Sequence, residues 1–322
     1  MTTIGFHASH EQIPPERLLR DVRHAEQAGF RAAMCSDHLE PWSPRQGHSG
    51  FALSWLGAAL ATTDLPFGFV HAPGRRYHPV VTAQATATLA RMFPGRVWTA
   101  LGSGQKLNER PVSPEWPPKE QRQRYLEASF DVVRRLHAGE EVTCAEPVHA
   151  DRARVWDPPE VAPSLLVAAL TPTTVRRFAP RADGFITVNQ PLEDLRRMLD
   201  SWHEGGGTGR AALQVHLSWA PSAEQARAIA HEQWRTNVFD PVTMAELSSP
   251  HDYQRKAVQE EVGDTQIARA VNVSADLGRH VERLHEYAEL GFDEIYLHHV
   301  GQEQEAFIDA FGAEVLPQLA GN

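Results

Sequence analysis

Polar and apolar positions along the chain follow two alternating patterns: amphipathic segments with helical spacing, and short runs that are apolar throughout. The same connection recurs between them: a helical pattern ends at a glycine, and a short apolar run follows. Gly29 and Gly291 are placed to adopt the left-handed conformation that closes a helix, and Gly95 and Gly184 have the same spacing. Helix, glycine and buried strand, repeated along a chain, are typical of a parallel α/β fold.

This pattern predicts eight strands separated by helices. The strands are expected near residues 3–8, 31–36, 66–71, 97–102, 164–169, 184–188, 213–218 and 293–298. The helices are expected at 15–28, 51–61, 79–92, 119–136, 173–179, 192–202, 278–290 and 303–316. Eight strands favour a closed (β/α)8 TIM barrel over an open sheet. We expect one such α/β domain over residues 1–322, with insertions near 139–162 and 220–270.

Composition and charge narrow the function classes. With 322 residues, of which 42% are hydrophobic, the chain can bury a large core, and its longest apolar runs are far too short to span a membrane. A net charge of −10 argues against nucleic acid or an anionic membrane as the main partner. Two cysteines provide neither a disulfide framework nor a metal cluster, and the N-terminus has no secretory signal pattern. We therefore expect a cytoplasmic protein.

The strongest local signal follows the second predicted strand, in the segment 36–42. Chemistry in such a barrel takes place at the C-terminal ends of the strands, where Asp37 and His38 leave the second one. A carboxylate beside an imidazole can fix its tautomer and tune it for proton transfer, although such pairs often only hold a loop. Trp42 is placed to cover a planar ring or to exclude water. Further histidines lie at predicted strand ends, at positions 7, 71, 216, 298 and 299.

A second signal follows the fourth predicted strand. Gly102 and Gly104 allow the backbone to approach a ligand closely, and Ser103 and Asn108 offer hydrogen bonds. The third glycine of a dinucleotide-binding motif is missing, so the segment does not indicate a Rossmann site. Taken alone, it is compatible with an ordinary turn.

Together these segments resemble the luciferase-like superfamily of flavin-dependent oxidoreductases, and within it the branch of F420-dependent glucose-6-phosphate dehydrogenases. The matching segments run nearly end to end, at 5–12, 36–42, 47–55, 77–88, 101–109, 182–187 and 291–301. The resemblance implies a barrel with an isoalloxazine-type ring across the strand ends and a cis peptide bond at Phe69–Val70. The cofactor-binding residues that it implies are Asp37, Phe69, Val70, Ser103, Gly104, Asn108, Ala169 and Thr171. It places His38 near the reactive face of the ring, with Trp42 and Glu11 as further catalytic candidates.

Departures from this branch bear on substrate and cofactor. Gln105 stands where the dehydrogenases have an acidic glutamate, and an amide does not exchange protons usefully. Thr171 lies where paired glycines hold the cofactor phosphate, and basic residues that bind the sugar phosphate are replaced around 189–190 and at Ala270. Without those charge-assisted pairs, glucose 6-phosphate is not expected as the substrate. The same departures resemble a smaller subgroup that has reverted from F420 to FMN, whose phosphate Thr171 could serve.

We therefore expect an FMN-dependent oxidoreductase or monooxygenase that acts on a small organic substrate by hydride transfer at the flavin ring. His38 would be the acid or base, Trp42 a pocket wall, and Glu11 with Gln12 would bind substrate hydroxyls. A flavin reductase is the expected partner of a monooxygenase, and a homodimer is usual for the family. The alternative is a coenzyme F420-dependent dehydrogenase or reductase with a non-phosphorylated substrate. A metal-dependent hydrolase and a barrel that binds without turnover stay open, although no His-x-His pair ends the first strand.

Overall fold

Apolar runs form strands and amphipathic segments form helices throughout residues 2–319, the part of the chain that the computed structural model describes. The strands are β1 (Thr3–Ala8), β2 (Ala32–Ser36), β3 (Phe67–His71), β4 (Val97–Leu101), β5 (Val142–Cys144), β6 (Ala150–Ala153), β7 (Ser164–Ala168), β8 (Gly184–Val188), β9 (Arg210–Ser218), β10 (Asn272–Val273) and β11 (Glu294–His299). The helices are α1 (Pro15–Ala28), α2 (Ala52–Thr62), α3 (Pro79–Met92), α4 (Lys106–Glu109), α5 (Lys119–His137), α6 (Pro172–Phe178), α7 (Leu192–Glu204), α8 (Ala223–Trp234), α9 (Pro241–Glu246), α10 (Pro250–Gln259), α11 (Asp264–Ala270), α12 (Leu277–Glu289), α13 (Glu305–Ala310) and α14 (Leu316–Leu319). A π-helical segment, Phe311–Val315, joins α13 to α14.

Eight of these strands close into a barrel. In the order β1, β2, β3, β4, β7, β8, β9 and β11, each strand pairs in parallel with the next, and β11 pairs with β1 to complete the ring. Successive parallel strands need a crossover connection, which the outer helices supply. The predicted (β/α)8 barrel is confirmed.

Each outer helix covers the barrel through an apolar stripe. In α1, Leu18, Val22 and Ala25 recur at helical spacing and are fully buried in a hydrophobic layer that also contains Phe6 of β1. Gly29 ends this helix with a φ of 105°, as the sequence predicts.

Aromatic side chains plug the N-terminal end of the barrel. Trp98 and Tyr296 point into the barrel, where the Trp98 indole N–H donates to the Tyr296 hydroxyl over 3.2 Å. Both rings need a glycine beside them: a Cβ on Gly68 would lie 2.0 Å from the Trp98 ring, and one on Gly5 would lie 2.5 Å from the Tyr296 ring. Large and small residues thus fill this end at close packing. The C-terminal ends of the strands remain as the open face.

Two backbone predictions are wrong. Gly184 does not close a helix; it lies inside β8, where a Cβ would sit 2.3 Å from the Arg210 carbonyl oxygen, so the close strand contact requires glycine. The Phe69–Val70 bond is trans. The ladder stays regular at this point, because the Val70 carbonyl accepts the backbone N–H of Asp37 over 3.0 Å in continuation of the β2–β3 pairing.

The two predicted insertions contain regular elements that the sequence pattern did not predict individually. Residues 139–162 include the antiparallel hairpin of β5 and β6, and residues 220–270 include α8 to α11. Trp234, Ala257 and Ile267 form a separate small hydrophobic cluster within the second insertion. This insertion packs over the open face of the barrel and contributes to the cavity described next.

Candidate active site

A cavity of about 720 Å³ opens at the C-terminal ends of the barrel strands. Small-molecule and cofactor sites usually enclose about 300–1,000 Å³. Ten predicted site residues line it, namely Glu11, Asp37, His38, Trp42, Val70, Ser103, Gly104, Asn108, Ala169 and Thr171. Gln12, which the sequence assigns to substrate binding, is buried and does not line it. Phe69 does not line it either, since it is buried in the hydrophobic layer outside the barrel. Side chains alternate along a strand, so Phe69 must face the helices if Val70 faces the interior.

One wall of the cavity carries a hydrogen-bonded pair, Glu11 and His38. They follow the neighbouring strands β1 and β2, and the parallel pairing of these strands brings their loops together. The Glu11 carboxylate binds His38 Nδ1 through Oε1 and accepts from the Ser9 hydroxyl through Oε2 over 3.0 Å. Burial alone would raise the pKa of Glu11, but the charge and hydrogen bond of His38 outweigh it and hold that pKa at about 2. Nε2 is therefore the His38 nitrogen left for a ligand.

Asp37 is adjacent to His38 in sequence but does not pair with it. Its Oδ1 accepts the backbone N–H of Ala52 at the start of α2 over 3.0 Å, and its Oδ2 binds the Arg76 guanidinium. The Asp37 side chain is fully buried, so Arg76 supplies the counter-charge that a buried carboxylate requires. Of the two interpretations of the Asp37–His38 sequence, the structure supports the one in which the carboxylate holds a loop, and Glu11 is the carboxylate that pairs with the imidazole.

Helix α4 ties together the loops that surround the site. The Asn108 side-chain oxygen accepts the Leu39 backbone N–H over 2.7 Å, which joins the loops after β4 and β2. The Glu109 carboxylate accepts the backbone N–H groups of Arg75 and Arg76 over 2.8 and 3.4 Å, which adds the loop after β3. Burial raises the pKa of Glu109. The three loops are therefore positioned as one unit.

Trp42 forms part of the cavity wall, where the sequence predicts it. Its indole ring packs edge-on against His38, with ring centroids 4.8 Å apart, and against Tyr253 of α10 at 5.5 Å. The Trp42 backbone N–H donates to the Gln46 side chain over 2.9 Å. The second insertion thus supports Trp42 from behind, and Trp42 in turn restricts the His38 ring.

Small residues at the ends of β4 and β7 leave space in the cavity. Gly104 has a φ of 81°, a conformation that favours glycine, and it exposes the backbone of its loop. Thr171 lines the cavity, but its hydroxyl accepts the Thr174 backbone N–H over 3.4 Å and contacts the Thr174 hydroxyl at 3.0 Å. Thr171 therefore already caps α6.

The floor of the cavity is a hydrogen-bonded cluster that sequence analysis did not assemble. His298 Nε2 lies 2.7 Å from Gln12 Oε1, and its Nδ1 lies 3.1 Å from the side-chain nitrogen of Gln214. The same Gln214 nitrogen lies 3.2 Å from His216 Nε2. His7 stacks on His298 with ring centroids 4.2 Å apart. The histidines could be identified in the sequence because they lie at predicted strand ends, whereas nothing in the sequence pattern indicated Gln214.

The remaining two histidines at predicted strand ends, His71 and His299, lie on different sides of the barrel wall. His71 lines the cavity and stacks on Phe69 with ring centroids 4.8 Å apart, and burial lowers its pKa to about 3. His299 instead stacks on Phe307 of α13, with ring centroids 4.9 Å apart, on the outer side of the barrel. Position at a strand end is therefore not sufficient to place a histidine in the site.

The mouth of the cavity carries exposed cations. Lys119 of α5 and Arg269 of α11 both line it and are both exposed. Arg122 also lines it, but its guanidinium stacks on Trp116 at 4.0 Å and pairs with Glu246 at 3.4 Å. Neither Lys119 nor Arg269 is at a position where the resemblance indicates a lost basic residue, so their place in the cavity lining was not predicted.

No group of three or more His, Cys, Asp or Glu side chains within residues 2–319 could hold a metal ion. None of the helices in the described part of the chain is both long and apolar enough to cross a membrane.

Comparison with known proteins agrees with this arrangement. A family model described as luciferase-like monooxygenase matches residues 1–294. An F420-dependent glucose-6-phosphate dehydrogenase from Beutenbergia cavernae is 35% identical over 99% of this chain and 98% of its own. The solved structure of an F420-dependent secondary alcohol dehydrogenase, in complex with an F420–acetone adduct, is 26% identical, with a TM-score of 0.90 and 99% of both chains covered. The oxygenating constituent of 3,6-diketocamphane monooxygenase from Pseudomonas putida, in complex with FMN, shares the fold, with a TM-score of 0.72 at 14% identity over 98% of both chains. The chain therefore belongs to the luciferase-like monooxygenase family, and it is an oxidoreductase.

Proposed function

We propose that this protein is a coenzyme F420-dependent dehydrogenase or reductase that interconverts a small, non-phosphorylated secondary alcohol and its ketone. The F420-dependent relatives named above are more similar to this chain than the FMN-containing neighbour, which shares only the fold. This reverses the preference for FMN drawn from the sequence. The observation that carries the proposal is the buried Glu11–His38 pair on the cavity wall, since alcohol oxidation must remove a proton from oxygen as well as a hydride from carbon.

The half of the cavity formed by β2, β3, β4 and β7 suits a flat tricyclic ring. Val70 and Ala168 present small apolar side chains inside the barrel, and Ile186 of β8 continues the apolar surface. Ser103 and Gly104 bring polar backbone and hydroxyl groups to the edge of this surface. When bound, F420 supplies a two-electron acceptor that takes a hydride from carbon and reacts poorly with oxygen.

The charges at the mouth favour F420 over FMN. F420 carries an oligoglutamate tail, whereas FMN ends at its phosphate. Lys119 and Arg269 are exposed at the mouth, where a tail that leaves the cavity would pass. Exposed cations attract such a tail through a salt-sensitive interaction.

The chain's own part in the reaction is to hold the substrate and to move one proton. The Glu11 carboxylate accepts the Nδ1–H of His38, so Nε2 is positioned to accept the proton of the substrate hydroxyl. Glu11 then stabilises the imidazolium that forms. Trp42 packs against the same ring and excludes water from it. Gln105 is not needed as an acid in this scheme, because His38 handles the proton.

The substrate is expected to lack a phosphate. Asn189 occupies a region where the resemblance places a basic residue, and both ends of its amide are already used. Its oxygen accepts the His216 backbone N–H over 2.9 Å, and its nitrogen donates to the Ala270 carbonyl over 3.2 Å. A phosphate at this position would lack the charge-assisted hydrogen bonds that it requires.

Direct titration tests the cofactor assignment. Purified protein is titrated separately with F420 and FMN while the fluorescence of each is followed. We expect saturable F420 binding at least about tenfold tighter than FMN binding, a difference of about 1.4 kcal/mol. F420-loaded protein should then form acetone from propan-2-ol as oxidised F420 is consumed. Tighter binding of FMN, or no binding of either ring, would overturn the assignment.

Substitution of His38 tests the proton-transfer step. His38→Ala should lower kcat at least about a hundredfold, a typical loss on removing an acid–base group. F420 binding should change little, because the carboxylate of Glu11 and the cofactor half of the cavity remain. His24→Ala is the matched control, since His24 is a surface residue paired with Asp309 and should keep full turnover. Undiminished turnover in His38→Ala would remove His38 from the mechanism.

A further inference from the structure

One half of the cavity is not used by the proposed cofactor site. Strands β1, β9 and β11, together with α8, contribute His7, Gln214, His216, Trp234 and His298, which we call the floor cluster. Trp234 packs against His216 and His298, with ring centroids 4.5 and 4.9 Å apart. In the closed strand order, β9, β11 and β1 lie across the barrel from β3, β4 and β7. The floor cluster therefore faces the space left for a substrate.

Within the hydrogen-bonded part of the floor cluster, Gln214 keeps one acceptor for a ligand. The Gln214 side-chain nitrogen lies within hydrogen-bond distance of His298 Nδ1 and His216 Nε2. An amide nitrogen only donates, so both imidazole nitrogens accept, and His298 donates through Nε2 to Gln12 Oε1. Both amide hydrogens of Gln214 are thereby used. Its oxygen, Oε1, is the group that remains for a ligand.

Two members of the floor cluster are buried without a partner. Among the described residues, neither ring nitrogen of His7 has a hydrogen-bond partner, and His7 is only 3% exposed. The indole N–H of Trp234 also has no partner within residues 2–319, and Trp234 is 4% exposed. Both side chains line the cavity. Buried polar groups are nearly always paired in folded proteins, so these groups require a partner from outside the chain.

The floor cluster carries no charge at neutral pH. Burial lowers the pKa of His7 to about 4 and that of His216 to about 3, and it lowers the pKa of His298 well below its ordinary value. A neutral imidazole offers one donor and one acceptor, and Gln214 adds an acceptor. A hydroxyl group, which both donates and accepts, matches this set. A carboxylate or phosphate only accepts and would be buried beside the cluster without a counter-charge.

We propose that the floor cluster binds an uncharged hydroxyl group of the substrate, remote from the carbon that is oxidised. The hydroxyl donates to Gln214 Oε1 and accepts from the N–H of His7. The substrate class is then a small diol or polyol that bears a secondary alcohol, and not a hydroxy acid or a sugar phosphate. The inference rests on the proposed function for the reacting end of the substrate.

Matched alcohols test the preference. F420-loaded protein is given butane-1,3-diol, pentane-1,4-diol and hexane-1,5-diol, beside butan-2-ol, pentan-2-ol, hexan-2-ol and 4-hydroxypentanoate. We expect kcat/KM for at least one diol to exceed that of its monoalcohol about tenfold, the effect of one buried hydrogen bond, and the hydroxy acid to be poorest. His7→Phe keeps the aromatic stack and should abolish the preference. His137→Phe, which removes a buried imidazole outside the cavity, should retain it. Absence of any diol preference, or its survival in His7→Phe, overturns the proposal.

A binding measurement distinguishes failure of this inference from failure of the proposed function. Long-range ¹H–¹⁵N NMR spectra of the imidazoles, with the His7 signals assigned through His7→Phe, are recorded with each diol, each monoalcohol and F420. A diol, but not its monoalcohol, should shift the His7 nitrogens. Shifts without turnover would support the floor cluster and refute the proposed reaction, whereas turnover without shifts would overturn the floor cluster. Equal shifts with F420 alone would assign the partner group to the cofactor and overturn the substrate assignment.

Discussion

Replacing Glu11 by glutamine removes the charge of a buried carboxylate while it keeps the shape of the side chain. The Glu11 pKa is about 2 instead of the ordinary 4.5. Each pKa unit corresponds to about 1.4 kcal/mol, so the folded protein favours the charged carboxylate by about 3 kcal/mol. Glutamine can still accept from Ser9, so we expect Glu11→Gln to lower the free energy of unfolding by about 2–3 kcal/mol at neutral pH.

The effect of Glu11→Gln should depend on pH with a defined sign. Because the folded-state pKa lies below the unfolded one, the contribution of the carboxylate is complete above pH 4.5 and is lost as the pH falls toward 2. The stability difference between the native protein and the variant should therefore shrink over that interval. Urea unfolding, followed by tryptophan fluorescence at pH values from about 7 to about 3, measures it.

Glu109→Gln is the matched control, since Glu109 is also a buried carboxylate of the same cavity. Burial raises the pKa of Glu109, so protonation of this group stabilises the folded state. As the pH falls, the free energy of unfolding of the native protein should therefore rise relative to that of Glu109→Gln. The two variants should respond to acid in opposite senses. Equal stability of native and Glu11→Gln protein at neutral pH, or a difference that grows on acidification, would refute the reasoning.

Two further predictions concern packing and the Asp37–Arg76 ion pair. Gly68→Ala should lower the free energy of unfolding by about 1–3 kcal/mol, because its Cβ would meet the Trp98 ring. Gly57→Ala is the control: this position in α2 has room for a methyl group, so the free energy of unfolding should rise by up to about 1 kcal/mol. Calorimetry measures both, and an unchanged stability of Gly68→Ala would contradict the close packing. Arg76→Gln should lower the free energy of unfolding by about 3–5 kcal/mol, because it leaves Asp37 buried without a counter-charge. The double variant Arg76→Gln/Asp37→Asn should regain most of that loss, as measured by urea unfolding. Equal instability of the single and double variants would argue against this explanation.

The barrel could be predicted from sequence because its signals are local and repeated. Gly29 and Gly291 end helices with φ angles of 105° and 104°, as expected. Gly95 also has a positive φ, 73°, but it lies in a turn after α3, which already ends at Phe93. Gly184 has the same sequence context but lies in β8, where glycine is needed because the Arg210 carbonyl of β9 approaches closely. That contact forms only in the folded sheet, so the local sequence does not indicate it. Element boundaries inside the insertions also depend on tertiary packing.

The site could be predicted only in part, because its decisive contacts join distant segments. His38 was identified at a strand end, but its partner lies 27 residues away and was assigned a substrate-binding role. The partnership of Asp37 with Arg76 has no periodic signature, and the adjacent Asp-His sequence suggested a different one. Gln214 is an interior strand position, which an apolar pattern does not distinguish. The preference for FMN came from residues lost near Thr171 and took no account of cations that fold to the mouth from elsewhere.

The Trp98 and Tyr296 rings, which meet edge to face and close one end of the barrel, limit how small molecules enter and leave. Because one end of the barrel is closed, no channel runs through it, and reactant and product use the same opening of the cavity. If the proposed function holds, the ketone must leave through that opening before the next alcohol enters. Inhibition by product should accordingly be competitive toward substrate, and widening the sealed end would require replacing an aromatic ring together with its glycine neighbour.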